Sequence, residues 1–236
     1  MVDSAFSGLF RLLLPERCSL CRQASPGPVC ADCRADLPWN RCACPRCARP
    51  QHGGPGNYSG HLCASCAETP PPFDAGWSAF RYQVPIDKAV QGLKYNAGFR
   101  SAHWLGVEMA HALAQRPQPL PQLLLPVPLH ADRLRGRGYN QALELAKAMG
   151  WVLEVEVDTR SASRLRATAD QIGKSAAERR RNVKGAFAVQ AGRLDGKHIA
   201  LVDDVMTTGS TLAELARACR KAGAGRIEVW TAARAV

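Results

Sequence analysis

The chain has 236 residues, which suits one ordinary domain together with one small domain. Its hydrophobic fraction of 46% and charged fraction of 22% exclude a chain that is disordered throughout. A formal net charge of +11 indicates anionic partners, either phosphorylated small molecules or nucleic acid.

The N-terminal stretch 5–15 is apolar but is interrupted by Arg11. It favours a short amphipathic helix over a secretory signal, because no cleavage site of small residues follows it. No apolar run approaches the roughly 20 residues that span a bilayer. We therefore expect a cytoplasmic protein without membrane contact, in which ten cysteines favour metal ligation over disulfides.

Residues 1–72 contain nine of the ten cysteines and show no sustained helical or strand period. A segment this small and rich in loops needs a staple to fold. The proline run that ends at Pro72 is a stiff spacer, so we place a domain boundary there. The predicted domains are a Cys-rich zinc-binding module, similar to a double zinc ribbon, over residues 1–72, and a larger domain over residues 73–236.

Eight of these cysteines form four CxxC pairs, namely Cys18/Cys21, Cys30/Cys33, Cys44/Cys47 and Cys63/Cys66. A two-residue gap allows one tight turn to aim both thiolates at a tetrahedral Zn²⁺. The pairs predict one or two zinc ions, and the spacing leaves open whether they combine sequentially or in a cross-braced order. Disulfides or free thiols are the alternative. A site of four thiolates has no open position for water, so the zinc would be structural.

From residue 73 onward, predicted strands alternate with predicted helices, which indicates a mostly parallel α/β sheet flanked by helices. Segment 160–184 has no clear period and carries eight Lys or Arg against two Asp or Glu. The predicted helices are 87–115 with a break at 95–98, 140–149 and 208–222. The predicted strands are 122–127, 151–157, 186–189, 198–202 and 226–231.

The most informative run lies between the predicted strand 198–202 and the helix that follows it. Two adjacent acids, Asp203 and Asp204, precede a loop whose backbone amides and hydroxyls can bind a phosphate at a helix N-terminus. A glycine there lets the backbone approach the ligand closely. A well-capped helix is the alternative, but it explains one hydroxyl only. The predicted phosphate-binding residues are Val205, Met206, Thr207, Thr208, Gly209, Ser210 and Thr211.

This run is similar to the phosphoribosyl diphosphate (PRPP) motif of the type I phosphoribosyltransferases. Over nearly its whole length the chain resembles the ComF family, also called the ComFC/GntX group. The resemblance implies a type I phosphoribosyltransferase fold behind the zinc module. It rests on the CxxC pairs and on the segments 93–95, 127–130, 137–141, 181–183 and 185–187, together with Gln171.

The resemblance also implies roles for other residues. Asp203 and Asp204 would be the catalytic acids and would bind the ribose hydroxyls, with Mg²⁺ accompanying PRPP. The segment 126–133 would bind pyrophosphate, and the basic segment 160–184 would be a mobile lid. A proline-rich connector and a solvated basic helix are the respective alternatives. The implied pyrophosphate and lid residues are Pro128, Leu129, Arg133, Arg137, Arg164 and Arg179.

ComF relatives are associated with competence and DNA uptake. The resemblance therefore implies a PRPP-binding protein that handles incoming single-stranded DNA and meets a competence helicase. An active phosphoribosyltransferase that salvages an unidentified nitrogenous base is one alternative, and a non-catalytic PRPP sensor is another. For single-stranded DNA, Tyr139 and Trp151 are candidate stacking faces beside the basic segment.

Overall fold

The computed structural model describes residues 17–52, 60–93, 98–167 and 176–235, without the side chains of residues 176, 177, 179 and 180. The chain divides into two compact units, Met1–Pro38 and Trp39–Val236. The first two CxxC pairs fall in the smaller unit and the last two in the larger one. The predicted domain boundary at residue 72 stays a prediction.

The smaller unit is a pair of turns around the first four cysteines. The Cys18 amide donates to the Gln23 carbonyl at 2.8 Å, and the Ser19 amide donates to the Pro28 carbonyl at 2.9 Å. One short helix, α1 (Ala31–Ala35), follows Cys30. The buried side chains of Val29 and Leu37 form little core, so this unit depends on its cysteines for stability.

The larger unit is built on a five-stranded parallel sheet with the strand order β1-β7-β6-β2-β3. A separate antiparallel pair, β4 and β5, stands beside it. The strands are β1 (Ala75–Arg81), β2 (Leu123–Pro126), β3 (Glu156–Val157), β4 (Ala162–Arg164), β5 (Phe187–Val189), β6 (His198–Met206) and β7 (Arg226–Arg234).

Helices connect these strands, as parallel pairing requires. They are α2 (Ala64–Glu68), α3 (Ile86–Gly92), α4 (Gly98–Ala114), α5 (Ala131–Arg137), α6 (Gln141–Leu153), α7 (Ala176–Val183) and α8 (Ser210–Lys221). A parallel sheet flanked by helices, with a Cys-rich N-terminal module, confirms the predicted fold class. Among the described helices, none combines the length and the apolar character that a membrane crossing requires.

The central strands β2, β6 and β7 read as apolar runs because both faces of the sheet are covered. Leu123, Leu124 and Leu125 are all buried, as are Ile199 to Val202 on the neighbouring strand. Parallel strands end at one edge of a sheet, so the loops after β2 and β6 lie side by side there. This edge carries the candidate site, as is general for open α/β sheets.

Some elements differ from the sequence-based expectation. The predicted strand 151–157 is wrong over its first half, because α6 continues to Leu153 and ends where Glu154 adopts a left-handed conformation at φ 55°. Only Glu156–Val157 is extended. Strands β1 and β4 and helix α5 were not predicted. Strand β6 runs four residues beyond the predicted end, so Asp203 and Asp204 lie within the strand.

Candidate functional site

The turn between β6 and α8 contains the predicted phosphate-binding residues. Gly209 lies in the left-handed region at φ +73°, which turns the chain from the strand into the helix. The hydroxyls of Thr208 and Ser210 are 2.7 Å apart, and the Ser210 amide donates to the Thr208 hydroxyl at 3.4 Å. Thr207 and Thr208 are exposed, so the loop presents hydroxyls and amides to solvent at a helix N-terminus.

The two acids precede this loop and lie near the C-terminal end of β6. The Asp203 carboxylate accepts the Asp204 amide at 2.9 Å, and the Asp204 carboxylate accepts the Val205 amide at 2.7 Å. Burial raises the pKa of the Asp203 carboxyl well above its usual range, and the negative charge of Asp204 raises it further. The pair therefore concentrates negative charge that a cation would relieve.

One basic side chain from another element lies near the acids. Burial lowers the pKa of the Arg164 guanidinium, the charge of Arg133 lowers it further, and Asp203 acts in the opposite direction. Arg164 on β4 also lies 5.4 Å from the centroid of the Phe187 ring on β5. Arg164 is therefore within electrostatic reach of both Asp203 and Arg133, although the three residues are far apart in sequence.

The segment after β2 lies at the same edge of the sheet. The Val127 amide donates to the Val202 carbonyl of β6 at 2.9 Å, and the Asn140 side chain donates to the Val127 carbonyl at 3.0 Å. Pro128 and Leu129 are half-buried in the loop that leads to α5. Arg137, in the last turn of α5, is also half-buried. The Arg179 side chain lies outside the described residues.

The eight CxxC cysteines form two separate clusters, and the pairing is sequential. Within each cluster the ligand atoms lie within 4.8 Å of one another. The Cys21 and Cys30 sulfurs are 3.7 Å apart, as are the Cys47 and Cys63 sulfurs. A tetrahedral site with Zn–S bonds of about 2.3 Å has sulfur edges of about 3.8 Å. The first cluster is Cys18, Cys21, Cys30 and Cys33, and the second is Cys44, Cys47, Cys63 and Cys66.

Backbone amides prepare one thiol in each cluster for metal binding. The Cys30 amide donates to the Cys18 sulfur at 3.4 Å, and the Cys63 amide donates to the Cys44 sulfur at 3.3 Å. Burial opposes ionisation, but these amides and those of the adjacent turn outweigh it and lower the pKa of Cys18 to about 6. The same balance lowers the pKa of Cys44 to about 7. Both clusters fit a structural zinc ion.

Relatives of known name match the chain over most of its length. A double zinc ribbon domain model matches residues 9–67. The DNA utilization protein YhgH of Escherichia coli O157:H7 is 33% identical over 226 residues, which cover 93% of this chain and 97% of the relative. Competence protein F of Haemophilus influenzae is 33% identical over 229 residues, which cover 92% of this chain and 90% of the relative. The chain belongs to the ComF family.

Three further comparisons concern parts of this ComF-family chain. Competence protein ComFC of Streptococcus pneumoniae is 29% identical over 112 residues, or 46% of each chain. A glutamine PRPP amidotransferase from B. subtilis is similar with 18% identity and a TM-score of 0.41, covering 60% of this chain and 30% of that one. A purine phosphoribosyltransferase from Pyrococcus horikoshii has 17% identity and a TM-score of 0.34, covering 56% and 87% respectively.

The structure of this ComF-family protein corrects one expectation about stacking faces. Tyr139 is 8% exposed, and its hydroxyl donates to the Leu93 carbonyl at 2.5 Å, so its ring cannot stack on a base. This hydrogen bond connects Tyr139 to Leu93, the residue that follows α3. Trp151, in contrast, is 80% exposed on α6. Phe99 of α4 is 55% exposed and lines the same groove of about 240 Å³.

One residue at the site was not predicted from the sequence. Arg234, at the end of β7, donates from Nη1 to the Met206 carbonyl at 2.9 Å and to the Thr207 carbonyl at 2.5 Å. It therefore contacts the backbone of the turn between β6 and α8. A single arginine at the end of a strand forms no motif, so no local signal marks it. Its position becomes visible only when β7 pairs with β6.

Proposed function

We propose that this ComF-family protein binds PRPP with Mg²⁺ at the carboxyl edge of its sheet and serves in the handling of incoming single-stranded DNA. The observation that carries the proposal is the order of groups on one short stretch. Two carboxylates near the end of β6 are followed by a glycine turn, four hydroxyls and the N-terminus of a twelve-residue helix. That order suits a sugar phosphate.

The loop supplies donors for the 5′-phosphate of PRPP. Amides from Met206 to Thr211 and the hydroxyls of Thr207, Thr208, Ser210 and Thr211 would surround the phosphate oxygens. Hydrogen bonds from N–H groups to an anion are shorter and about twice as strong as neutral ones. The positive end of the α8 dipole adds to this binding. The adjacent carboxylates of Asp203 and Asp204 would then accept hydrogen bonds from the ribose hydroxyls.

The paired acids also suit Mg²⁺, which prefers one or two carboxylates together with phosphate oxygens and water. Burial and the negative charge of Asp204 raise the pKa of Asp203, which disfavours its ionised form. A divalent ion beside it would favour the ionised carboxylate. When bound, the ion would neutralise charge on the diphosphate, while Asp203 and Asp204 would fix the ribose.

The diphosphate would face the basic groups on the other side of the acids. Arg164 lies within electrostatic reach of Asp203 and of Arg133, and guanidinium groups match phosphate oxygens in pairs. Pro128, Leu129 and Arg137 would complete the pyrophosphate-binding loop. Arg179 and the rest of the basic segment 160–184 would close over the ligand as a lid.

The role in DNA handling is supported by the relatives and by charge. The matched relatives are named as DNA utilization and competence proteins. Residues 73–236 carry 24 basic against 15 acidic residues, a surplus that attracts nucleic acid. Exposed Trp151 and Phe99 lie in a groove together with Lys147 and His103, and aromatic faces of this kind stack on unpaired bases. A competence helicase is the expected protein partner in the cytoplasm.

A second candidate function is phosphoribosyl transfer, which the position of Arg164 near Asp203 favours. A nitrogen atom of a base would attack C1 of the ribose while the C1–O bond to pyrophosphate breaks. Pyrophosphate would leave with the bonding electrons, and the base would release a proton to solvent. Arg133 and Arg164 would stabilise the charge that develops on the leaving group. A PRPP sensor would use the same site without the acceptor.

Calorimetric titration of the zinc-loaded protein with PRPP and Mg²⁺ tests the binding proposal. We expect one site per chain, and binding that is lost when Mg²⁺ is omitted. Pyrophosphate release in the presence of a set of nucleobases then separates the functions, since binding without turnover favours the DNA-handling or sensing role. If PRPP does not bind at saturating Mg²⁺, the proposal is wrong.

A further inference from the structure

Arg234 contacts two parts of the larger unit that are far apart in sequence. Arg234 is the last residue of β7 and is only 8% exposed. Nη1 donates to the carbonyls of Met206 and Thr207, as described above. From the other side of the same guanidinium, Nε donates to the Cys47 carbonyl at 3.0 Å. One rigid planar group therefore connects the phosphate-binding loop to a ligand residue of the second cysteine cluster.

The turn that carries Cys44 and Cys47 is also fixed against the sheet. Arg46, inside that turn, donates from Nη1 to the Asp74 carbonyl at 3.1 Å and from Nη2 to the Pro71 carbonyl at 3.1 Å. The Gly76 amide of β1 donates to the Pro45 carbonyl at 3.0 Å. A Cβ atom at Gly76 would lie 2.7 Å from the Arg46 carbonyl oxygen, so the contact leaves no room for a side chain.

Electrostatics connects the same two parts. The buried Arg234 guanidinium donates to the backbone of Cys47, a ligand residue of the second cluster. A zinc ion with four thiolates carries a net charge of about −2. A metal-loaded second cluster therefore offers the buried guanidinium both a fixed carbonyl and a compensating charge. Without the metal, the turn that carries the Cys47 carbonyl loses the metal–thiolate bonds that fix its shape.

We propose that Arg234 is a positioning residue that couples metal occupancy of the second cysteine cluster to the shape of the PRPP loop. The inference rests on the proposed PRPP binding and deepens it. The loaded cluster fixes Arg234, and Arg234 holds the carbonyls of Met206 and Thr207 so that the amides after them face the phosphate. The second zinc ion is thus part of the support for the ligand site, although it does not touch the ligand.

Coupling between two binding sites is reciprocal, so bound PRPP must strengthen zinc retention by the same factor by which zinc strengthens PRPP binding. A factor of about tenfold lies within the usual range for coupled sites. Arg234→Met should abolish this factor while both zinc ions still bind. Arg234→Lys keeps the charge but loses the planar fork, so it should retain only part of the coupling.

The experiment measures the equilibrium partition of zinc between the full chain and a chromophoric chelator of known affinity, with and without saturating PRPP and Mg²⁺. In the wild type, PRPP should lower the dissociation constant of one of two zinc ions about tenfold and leave the other unchanged. In Arg234→Met, PRPP should lower neither. Arg217→Met is the matched control, because Arg217 pairs with Glu214 on the exposed face of α8 and should behave as the wild type.

The outcomes separate this inference from the proposed function. PRPP that binds the wild type in calorimetry but leaves both zinc dissociation constants unchanged overturns the coupling and leaves the PRPP site standing. An equal gain in zinc affinity in wild type and Arg234→Met overturns the role of Arg234. Absence of PRPP binding overturns both proposals. If Arg234→Met does not fold, Arg234→Lys and the wild-type zinc dissociation constants still decide the question.

Discussion

Replacing Gly209 by alanine tests whether the turn after β6 must keep its backbone shape. Gly209 is at φ +73°, where an L-residue costs roughly 1–2 kcal/mol. The added Cβ would lie 3.4 Å from the Met206 sulfur, which is a tolerable contact, so backbone strain dominates. If the loop relaxes to negative φ, at least one amide turns away from the phosphate. A lost hydrogen bond to a charged group costs about 1.5–3 kcal/mol, or about 10- to 150-fold in PRPP affinity.

Gly192→Ala is the matched control for this variant. Gly192 is at φ +89° with nothing within 4 Å of an added Cβ, so it carries similar strain away from the loop. Urea denaturation should show both variants destabilised by about 1–2 kcal/mol relative to wild type. Calorimetry should show weakened PRPP binding for Gly209→Ala alone. Equal PRPP affinity in the two variants would refute the reasoning.

Three further predictions concern charge, core and surface. The pKa of Asp203 is raised in the folded state. The free energy of unfolding should therefore fall as pH rises from the ordinary pKa of 3.8 through the raised pKa. Asp203→Asn should remove this fall in urea melts measured at several pH values. Glu228 is buried against Arg226 and Arg116, and its pKa is lowered from 4.5. Its ionised carboxylate therefore stabilises the fold above pH 4.5, and this stabilisation is lost as pH falls through the lowered pKa. Glu228→Gln should cost about 3 kcal/mol at pH 7 in the same assay, and a loss under 1 kcal/mol would contradict the burial argument. Trp151→Ala should weaken binding of single-stranded DNA by about 1–3 kcal/mol in fluorescence anisotropy. Val84→Ala, which shortens another exposed side chain, should leave the affinity unchanged. Equal effects of the two variants would exclude the groove as the DNA-binding site.

The sequence predicted the parts whose chemistry is local. Four CxxC spacings identify eight metal ligands without any knowledge of the fold, since a two-residue gap aims both thiolates at one ion. The pairing into two sequential clusters required the structure. The acids, glycine and hydroxyls from Asp203 to Thr211 are likewise close together in sequence, and their role in phosphate binding stays a prediction. In both cases the functional groups lie within one short segment.

Elements that depend on distant partners were missed. Strand β1 (Ala75–Arg81) has no clear alternation and acquires its extended shape from pairing with β7, about 150 residues away in sequence. Trp151 and Leu153 looked like part of a strand, yet they complete the last turn of α6, which α4 packs against. Arg164 is implied by the resemblance alone, and only the fold brings it near Asp203 and Arg133.

The central claim is that the twin acids and the turn after them bind PRPP. The most direct test is calorimetry with PRPP and Mg²⁺ on Asp203→Asn/Asp204→Asn, beside Glu68→Gln/Glu154→Gln, which removes two charges from exposed positions. We expect the first double variant to fold and to lose PRPP binding, while the second binds as the wild type does. Unchanged PRPP affinity in Asp203→Asn/Asp204→Asn would contradict the assignment.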